Sequence, residues 1–401
     1  MTTTNRRTVL AAAFAAGLTV PLAAATRAEA ATRAAAGSRA AATNGPRRLT
    51  LPGPTGPFPV GTVPLHLVDR SRPDPVRGPG YHRELMASVW YPARDVTRHP
   101  RAPWLGDECW RALLASQDFP TGSTLPPVTA GRLGAPLRRD SDRLPVVVFS
   151  HGAHDHRGTH TIIGQELASH GYIVVTVDHT HDAFVEFPDG RRLEPIIVGD
   201  HALGAPDFAA DVPFLLDRIG DLAAGRNPDA DGRRLPDGLR GAPDLRRIGM
   251  FGTSKGGTAT RLVMESDPRV RAGLALDAPM EPITETDMGR PFMLLTSEYD
   301  RTTEPVAIAW SHLTGWKLDM RVDGARHTSN GDYKVLLTQI APIIGMSDEE
   351  LFDWVGPIDP ARMVRVQRAY PLAFFDLHLR GRRQRLLEGP SRAFPEVRFI
   401  P

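Results

Sequence analysis

A serine set between glycines is the feature of this sequence with the clearest potential for chemistry. Residues 252–256 read Gly252-Thr253-Ser254-Lys255-Gly256, which is the pattern Gly-x-Ser-x-Gly. The apolar run before them predicts a buried strand, and residues 255–265 predict a helix. In such a strand-to-helix turn the serine backbone is strained and its hydroxyl is exposed, while the glycines let neighbouring segments approach. Ser254 is therefore the candidate nucleophile.

A nucleophilic serine needs a base, because a free hydroxyl attacks poorly near neutral pH. Downstream of Ser254 the sequence offers His312, His327 and His378. His378 falls inside a C-terminal amphipathic helix, where a surface position is expected, and His312 falls in a helix between two strands. His327 directly follows the last predicted strand in the order serine, acid, histidine that this turn motif implies. His327 is the predicted base.

Two aspartates compete for the role of the acid that orients the base. Asp277 ends the strand predicted at 272–276, and Asp300 follows the strand predicted at 292–296. Both strand ends lie at the edge of the sheet that would carry the serine. Spacing alone leaves the two aspartates about equally favoured.

The negative charge that develops on an ester oxygen during attack needs backbone N–H donors. One donor is expected from Lys255, directly after the nucleophile. The other is expected from Ala153, since Gly152 permits a tight turn after the strand at 146–149. His151 is predicted to hold this loop rather than to transfer protons.

Histidines are dense in two loops, which raises the possibility of a metal site. These residues are His151, His154, His156 and His160, and then Asp178-His179-Thr180-His181-Asp182. Neither loop contains a His-Glu-x-x-His motif, and Ala183 and Phe184 interrupt a His-x-His-x-Asp-His pattern. We therefore predict solvated loop histidines, no metal and no organic cofactor.

The order of elements indicates how these residues are positioned. Two strands, 62–68 and 84–91, predict an antiparallel pair, and the Pro- and Gly-dense stretch 95–143 predicts an excursion from the sheet with a short helix at 110–116. Strands at 146–149, 172–177, 247–251, 272–276, 292–296 and 318–322 then alternate with helices, ending in a helix at 363–379. This alternation predicts one open, mostly parallel sheet with helices on both faces. With the serine turn it indicates a single-domain α/β-hydrolase fold.

The N-terminus has the features of an export signal. Arg6 and Arg7 precede an apolar stretch, and Ala28-Glu29-Ala30 offers a cleavage site. This arrangement predicts a twin-arginine signal peptide over 1–30, hence a secreted, extracytoplasmic bacterial protein. Residues 31–48, rich in Ala, Arg, Gly and Ser, predict a flexible leader before a catalytic domain at 49–401.

Composition narrows the classes of partner. The formal net charge is +2, and residues 1–30 account for it, so the remainder is close to neutral. No basic stripe interleaved with aromatic residues is present, which argues against nucleic-acid binding. The single cysteine, Cys109, excludes an intramolecular disulfide and is expected to be a partly buried apolar residue.

Several further segments resemble those of the plasma-type platelet-activating-factor acetylhydrolases and their bacterial relatives, over most of residues 50–400. The segments are Pro54-Thr55-Gly56-Pro57, Trp90-Tyr91-Pro92, Phe149-Ser150-His151-Gly152, Leu167-Ala168-Ser169-His170-Gly171-Tyr172-Ile173-Val174, Gly273-Leu274-Ala275-Leu276-Asp277-Ala278 and Ser297-Glu298-Tyr299.

The resemblance implies that Asp277 is the acid and that Ala153 and Lys255 supply the oxyanion donors. The sequence departs from the family at Thr253 and Lys255, where the plasma enzyme has histidine and phenylalanine. Lys255 puts a cation next to the nucleophile, which leaves the preferred acyl and head groups open.

The expected activity is hydrolysis of short-acyl esters or phospholipids through a Ser–His–Asp triad and an acyl-enzyme. The alternatives are a lipase or polyester hydrolase, an amidase or peptidase, and a non-catalytic secreted binding protein of the same fold. The expected partner is a small ester or lipid, with contact to a lipid interface as a possibility, and the sequence indicates no oligomeric state.

Overall fold

The computed structural model describes residues 45–138, 143–197, 199 and 202–401. Its strands, in chain order, are β1 (Arg47–Arg48), β2 (Val60–Asp74), β3 (Gly78–Pro92), β4 (Arg101–Pro103), β5 (Thr124–Leu125), β6 (Val128–Leu133), β7 (Leu144–Ser150), β8 (Ile173–Asp178), β9 (Val185–Glu186), β10 (Arg192–Leu193), β11 (Pro243–Thr253), β12 (Val270–Leu276), β13 (Phe292–Thr296), β14 (Lys317–Val322) and β15 (Val397–Ile400).

The helices are α1 (Asp107–Ser116), α2 (Thr161–Ser169), α3 (Ala205–Ala223), α4 (Lys255–Ser266), α5 (Glu304–Ser311), α6 (Tyr333–Ile344), α7 (Asp348–Val355) and α8 (Pro360–Arg380). Short 3-10 turns lie at Val96–Arg98, His327–Asn330 and Arg385–Leu387.

One sheet of 11 strands organises the molecule, in the order β15-β14-β13-β12-β11-β7-β8-β3-β2-β6-β4. The six strands from β14 to β8 run parallel, and β2 with β3 forms the predicted antiparallel pair. Because parallel strands share one carboxyl edge, the loops after β7, β11, β12, β13 and β14 meet there.

Both faces of the sheet are covered, since alternate residues of the buried strands enter two different apolar cores. Val146 and Val148 of β7 pack with side chains of α3, α4 and α5, whereas Val147 and Phe149 pack with α2 and α8. This is the arrangement that near-continuous apolar strands require. The predicted fold class is confirmed.

A third apolar cluster lies above the carboxyl edge and joins α1, α6 and α7. Its larger members are Trp104, Trp110, Leu114, Phe184, Leu336, Leu337 and Val355. We refer to these three helices as the cap. The sequence predicts α1 but not α6 or α7. Cys109 is buried in the cap cluster.

The stretch 95–143 was expected to leave the sheet, and that expectation is wrong for its strands. β6 pairs with β2 at Gly61 and Thr62, and β4 pairs with β6, so both extend the sheet at its edge. The pairing covers only two residues of β2, which is too short to leave a periodic pattern in the sequence.

The predicted signal peptide and residues 31–44 of the predicted leader lie outside the described residues. Arg47 and Arg48, which composition assigns to the leader, form β1 and pair with β5. Among the described residues, no helix combines the length and apolarity that a membrane span requires.

Candidate active site

Ser254 occupies the turn between β11 and α4, with φ 53° and ψ −124°. This strained backbone is sustained by the glycines on either side. A Cβ on Gly252 would lie 2.1 Å from the carbonyl oxygen of Gly256, and one on Gly256 would lie 2.2 Å from that of Ser150. The Ser254 amide donates to the carbonyl of Leu276 at 3.0 Å, which ties the turn to β12. The turn has the geometry that the motif predicts.

His327 is brought to the same edge by the loop after β14, and it contacts Asp277 directly. Its Nδ1 lies 2.6 Å from Oδ2 of Asp277. The other carboxylate oxygen, Oδ1, accepts three backbone amides, from Ser297 at 2.7 Å, Glu298 at 2.8 Å and Tyr299 at 2.9 Å. Asp277 is fully buried and its orientation is fixed by these four bonds.

The electrostatics of this pair favour its charged form. Burial by itself would raise the pKa of Asp277, but the hydrogen bonds from His327 and from the amides of Ser297 and Tyr299 outweigh it, and the pKa is lowered. Burial would likewise lower the pKa of His327, yet its hydrogen bond to Asp277 and the charges of Asp277 and Glu298 raise it above the usual 6.5. Asp277 therefore stabilises a protonated imidazole.

The competing candidates lie elsewhere. Asp300 accepts the Thr302 amide and pairs with Arg321 at 2.6 Å, so its carboxylate is engaged away from His327. His312 contacts Asp287 at 2.8 Å. His378 is half-buried against Trp316, with ring centroids 4.4 Å apart, rather than on the surface as expected.

Ser254 and His327 line one cavity, which we call the serine cavity. Its other lining residues are Gly152, Ala153, Asp155, His160, Thr253, Thr328, Gly331 and Tyr333. The cavity thus joins the turn after β11, the loop after β7 and the loop after β14. The ring of Tyr299 packs edge-on against His327 at 5.2 Å between centroids, which restricts the imidazole.

Of the two predicted oxyanion donors, Ala153 lines this cavity and Lys255 directly follows Ser254, which also lines it. A Cβ on Gly152 would lie 3.4 Å from the Cβ of Ser254, so the loop carrying Ala153 passes close to the serine. Within the described part of the chain, neither the Ala153 nor the Lys255 amide donates to a protein acceptor. Both N–H groups are thus available to a ligand.

The histidines expected to be solvated are mostly buried, so that prediction is wrong. His151, His156, His160, His179 and His181 are all less than a tenth exposed. Segments distant in the sequence bury them: His156 packs against Trp104 of the cap cluster, whereas His179 stacks on Phe208 of α3. His181 contacts Asp74 at the end of β2. Burial lowers the pKa of His151 and of His160 to about 3, so both are neutral at ordinary pH.

His151 holds its loop, as expected. Its Nδ1 contacts the Gly152 carbonyl at 2.6 Å, and its Nε2 accepts the His179 amide at 3.0 Å. Across the described residues, no group of three or more His, Cys, Asp or Glu side chains is arranged to hold a metal ion.

A second, mostly apolar cavity adjoins the serine cavity and lies under the cap. It shares Ala153, Asp155, Thr328 and Tyr333 with the serine cavity, and its further walls include Trp110, Leu114, Phe119, Phe184, Leu337, Ile340 and Trp354. We call it the cap cavity. Its α6 and α7 residues were missed by sequence reasoning, because short apolar stretches without a chemical motif carry no signal for a site.

A carboxylic acid lies at the junction of the two cavities. Asp155 Oδ1 accepts a hydrogen bond from the Tyr333 hydroxyl at 2.7 Å. Burial raises the pKa of Asp155 to about 8, so at neutral pH it is mostly uncharged. The junction therefore presents hydrogen-bonding groups with little net charge.

Proteins of similar sequence are described as esterases and acetylhydrolases. Residues 47–186 match the family described as platelet-activating factor acetylhydrolase, isoform II. A protein of Arthroderma benhamiae described as a probable 1-alkyl-2-acetylglycerophosphocholine esterase is 28% identical over 392 residues, which cover 90% of this chain and 96% of that protein. The platelet-activating factor acetylhydrolase of Canis lupus familiaris is 24% identical over 335 residues, covering 75% of this chain and 70% of its own.

The solved structure of a ferulic acid esterase from Streptomyces cinnamoneus is 34% identical, with a TM-score of 0.73, and the match covers 88% of this chain and 99% of that one. Fold and relatives together define a serine ester hydrolase of the α/β-hydrolase superfamily. The chain is a relative of the platelet-activating-factor acetylhydrolases, as the sequence resemblance indicated.

Proposed function

We propose that the protein hydrolyses carboxylic esters by two-step acyl transfer from a Ser254–His327–Asp277 triad. The observation that carries the proposal is the 2.6 Å bond between His327 and Asp277, at a cavity that the strained Ser254 also lines. Ser254 attacks the ester carbonyl while His327 takes its proton, and Asp277 stabilises the imidazolium. His327 then protonates the leaving alcohol, and water activated by the same histidine releases the acyl group.

The amides of Ala153 and Lys255 are the proposed oxyanion donors. The Lys255 amide begins α4, where the helix dipole also favours negative charge. Removal of one such donor costs about 3 kcal/mol of transition-state stabilisation in comparable sites.

We also propose that residues 1–30 direct export of the protein by the twin-arginine route and that 49–401 form its catalytic domain. The support is the order of paired arginines, apolar stretch and small-residue cleavage site in the sequence.

Covalent labelling with a fluorophosphonate tests the triad. We expect one phosphonylated residue, Ser254, in peptides analysed by mass spectrometry. The labelling rate should rise with pH to a plateau with a midpoint above 6.5, because the reaction needs neutral His327 and its pKa is raised by Asp277. Label on any other residue, or a midpoint well below 6.5, would contradict the assignment.

For the substrate, the relatives offer two classes. One is the short-acyl ester or phospholipid suggested by the acetylglycerophosphocholine esterases. The other is an aromatic acyl ester such as a ferulate, suggested by the structural relative. The cap cavity favours the second class, since its walls carry five aromatic side chains: Trp110, Phe119, Phe184, Tyr333 and Trp354.

Charge also argues against a phosphorylated head group in the cap cavity. Its described lining includes Asp155 and Glu194 but no lysine or arginine. The one histidine of that lining, His154, lies 3.4 Å from the Asp182 carboxylate and so is already engaged. A phosphate buried there would be poorly compensated, and burial of an unpaired charge is costly.

We expect p-nitrophenyl ferulate to exceed p-nitrophenyl acetate in kcat/KM by roughly 30-fold, since burial of an aromatic ring stabilises binding by about 2 kcal/mol. The two esters share a leaving group, so the comparison isolates the acyl part. An acetylated ether phospholipid, assayed below its aggregation concentration, should be poorer than the ferulate. Preference for the phospholipid over both nitrophenyl esters would instead support the first substrate class, the short-acyl ester or phospholipid.

A further inference from the structure

The side chain of Lys255 turns away from the serine cavity. Its Nζ donates to Oδ2 of Asp182 at 2.5 Å and to the Leu203 carbonyl at 2.6 Å. It also lies 5.2 Å from the ring centroid of Phe208. Lysine occurs at only three positions of the sequence, 255, 317 and 334, whereas arginine is abundant. The cation beside the nucleophile is therefore engaged by the protein rather than presented to substrate.

Asp182 connects Lys255 to the loop after β7, which carries Ala153 and His154. The carboxylate is fully buried, and its second oxygen, Oδ1, accepts the backbone amide of His154 at 2.6 Å. The imidazole of His154 lies 3.4 Å from the same oxygen. His154 has a positive φ of 58° and directly follows Ala153, so this bond fixes the strained turn that aims the Ala153 amide.

We propose that the Lys255–Asp182 ion pair is a positioning device that holds both oxyanion donors at one spacing. A single carboxylate binds the side chain of the residue that supplies one donor and the backbone next to the residue that supplies the other. The inference rests on the proposed oxyanion roles of Ala153 and Lys255. It explains what a lysine does at this position without any contact to the substrate.

The proposal depends on the free-energy cost of removing either charge of the Lys255–Asp182 ion pair. Both charges are largely removed from water, so each needs the other. Without the ammonium, the Asp182 carboxylate would reorganise toward water or other donors, and the His154 turn would lose its fixed acceptor. The oxyanion carries full charge only during reaction, so misplaced donors should affect kcat far more than KM.

The test is Lys255→Met, which removes the charge and keeps most of the side-chain volume. Rates are expressed per active site, titrated with a fluorophosphonate, so that unfolded protein does not count. We expect kcat for p-nitrophenyl acetate to fall roughly 10- to 100-fold, with KM changed by less than about threefold. Affinity for a reversible boronic-acid analogue of the tetrahedral intermediate should fall by a similar factor.

Lys317→Met is the matched control. Lys317 also donates to a carbonyl, that of Trp310 at 3.0 Å, and lies 4.5 Å from the Trp310 ring. It begins β14, at the opposite end of that strand from the His327 loop. We expect this variant, like Lys255→Met, to have a lower melting temperature than wild type. Its kcat per site should stay within about twofold of wild type.

The double variant Lys255→Met with Asp182→Asn separates positioning from stability. It leaves no unpaired buried charge, so its melting temperature should recover relative to either single variant. Its kcat per site should nevertheless stay at least roughly tenfold low, because the link between the two donors is still absent.

Three results would overturn the proposal: a Lys255→Met kcat per site within twofold of wild type, a loss confined to KM, or full recovery of kcat in the double variant. Ser254→Ala is assayed in parallel. If that variant keeps its activity, the proposed triad fails; if it is inactive while Lys255→Met keeps its kcat, only the positioning role fails.

Discussion

Ser254→Ala is expected to lower kcat by about 10⁶-fold and to abolish labelling by fluorophosphonates. The loss is large because the covalent route disappears, and water attack aided only by the oxyanion donors retains a small fraction of the rate. Substrate binding should persist, with KM or Kd changed little, since alanine removes one oxygen from a cavity whose walls come from several elements. Stopped-flow measurement should also show loss of any acyl-enzyme burst.

Ser150→Ala is the control for this experiment, because Ser150 has a similar hydrogen-bond pattern. Its Oγ lies 2.8 Å from Nε2 of His179, and Nδ1 of His179 lies 2.9 Å from Asp211. Ser150 and His179 are fully buried, however, and Asp211 is also paired with Arg83 at 2.6 Å. Ser150→Ala should therefore still be labelled. A labelled Ser254→Ala together with an unlabelled Ser150→Ala would assign the nucleophile to Ser150.

The parts of the fold that could be predicted from the sequence are those in which the local residue pattern matches the environment that the folded structure provides. Strands covered on both faces need uninterrupted apolar residues, and β7, β12 and β13 have them, so their positions could be predicted closely. The turn at Ser254 was predictable for a different reason. A Cβ at either of its glycines would lie about 2 Å from neighbouring backbone, so only glycine fits there. Because both glycines are required, the turn has a fixed Gly-x-Ser-x-Gly spacing that can be recognised in the sequence.

The parts that were missed depend on contacts between distant segments. The amphipathic pattern of α6 and α7 does not show that they cover the carboxyl edge of the sheet. The loop histidines are buried by segments distant in the sequence, through contacts such as His156 with Trp104 and His179 with Phe208. The choice between Asp277 and Asp300 was likewise undetermined by spacing. The proposal of Asp277 instead rests on a contact between distant segments: its carboxylate lies 2.6 Å from His327, whereas that of Asp300 pairs with Arg321.

Lys255 shows the limit of arguing from residue type alone. The sequence places a cation next to the nucleophile, which suggests an effect on substrate charge. The structure directs that cation to Asp182, a residue 73 positions earlier. A side chain's neighbours along the chain therefore did not indicate its partner in space.

Asp277→Asn is expected to lower kcat by about 10⁴-fold at neutral pH, with the fold and KM largely unchanged. The reason lies in the four bonds of the carboxylate. The amides of Ser297, Glu298 and Tyr299 all donate to Oδ1, so an asparagine must place its carbonyl oxygen there. Its NH₂ group then faces Nδ1 of His327.

That orientation forces His327 into the wrong tautomer, because Nδ1 must now accept a hydrogen bond and the proton moves to Nε2. An imidazole with a protonated Nε2 cannot take the proton of Ser254. Asp300→Asn is the matched control and should change kcat less than about twofold, since Asp300 is bonded to Thr302 and Arg321 away from His327. If Asp300→Asn lost the activity and Asp277→Asn kept it, the acid would be Asp300. The large loss of kcat expected for Asp277→Asn thus follows from the three backbone amides that donate to Oδ1. They take no part in the reaction, but they allow the asparagine side chain only one orientation.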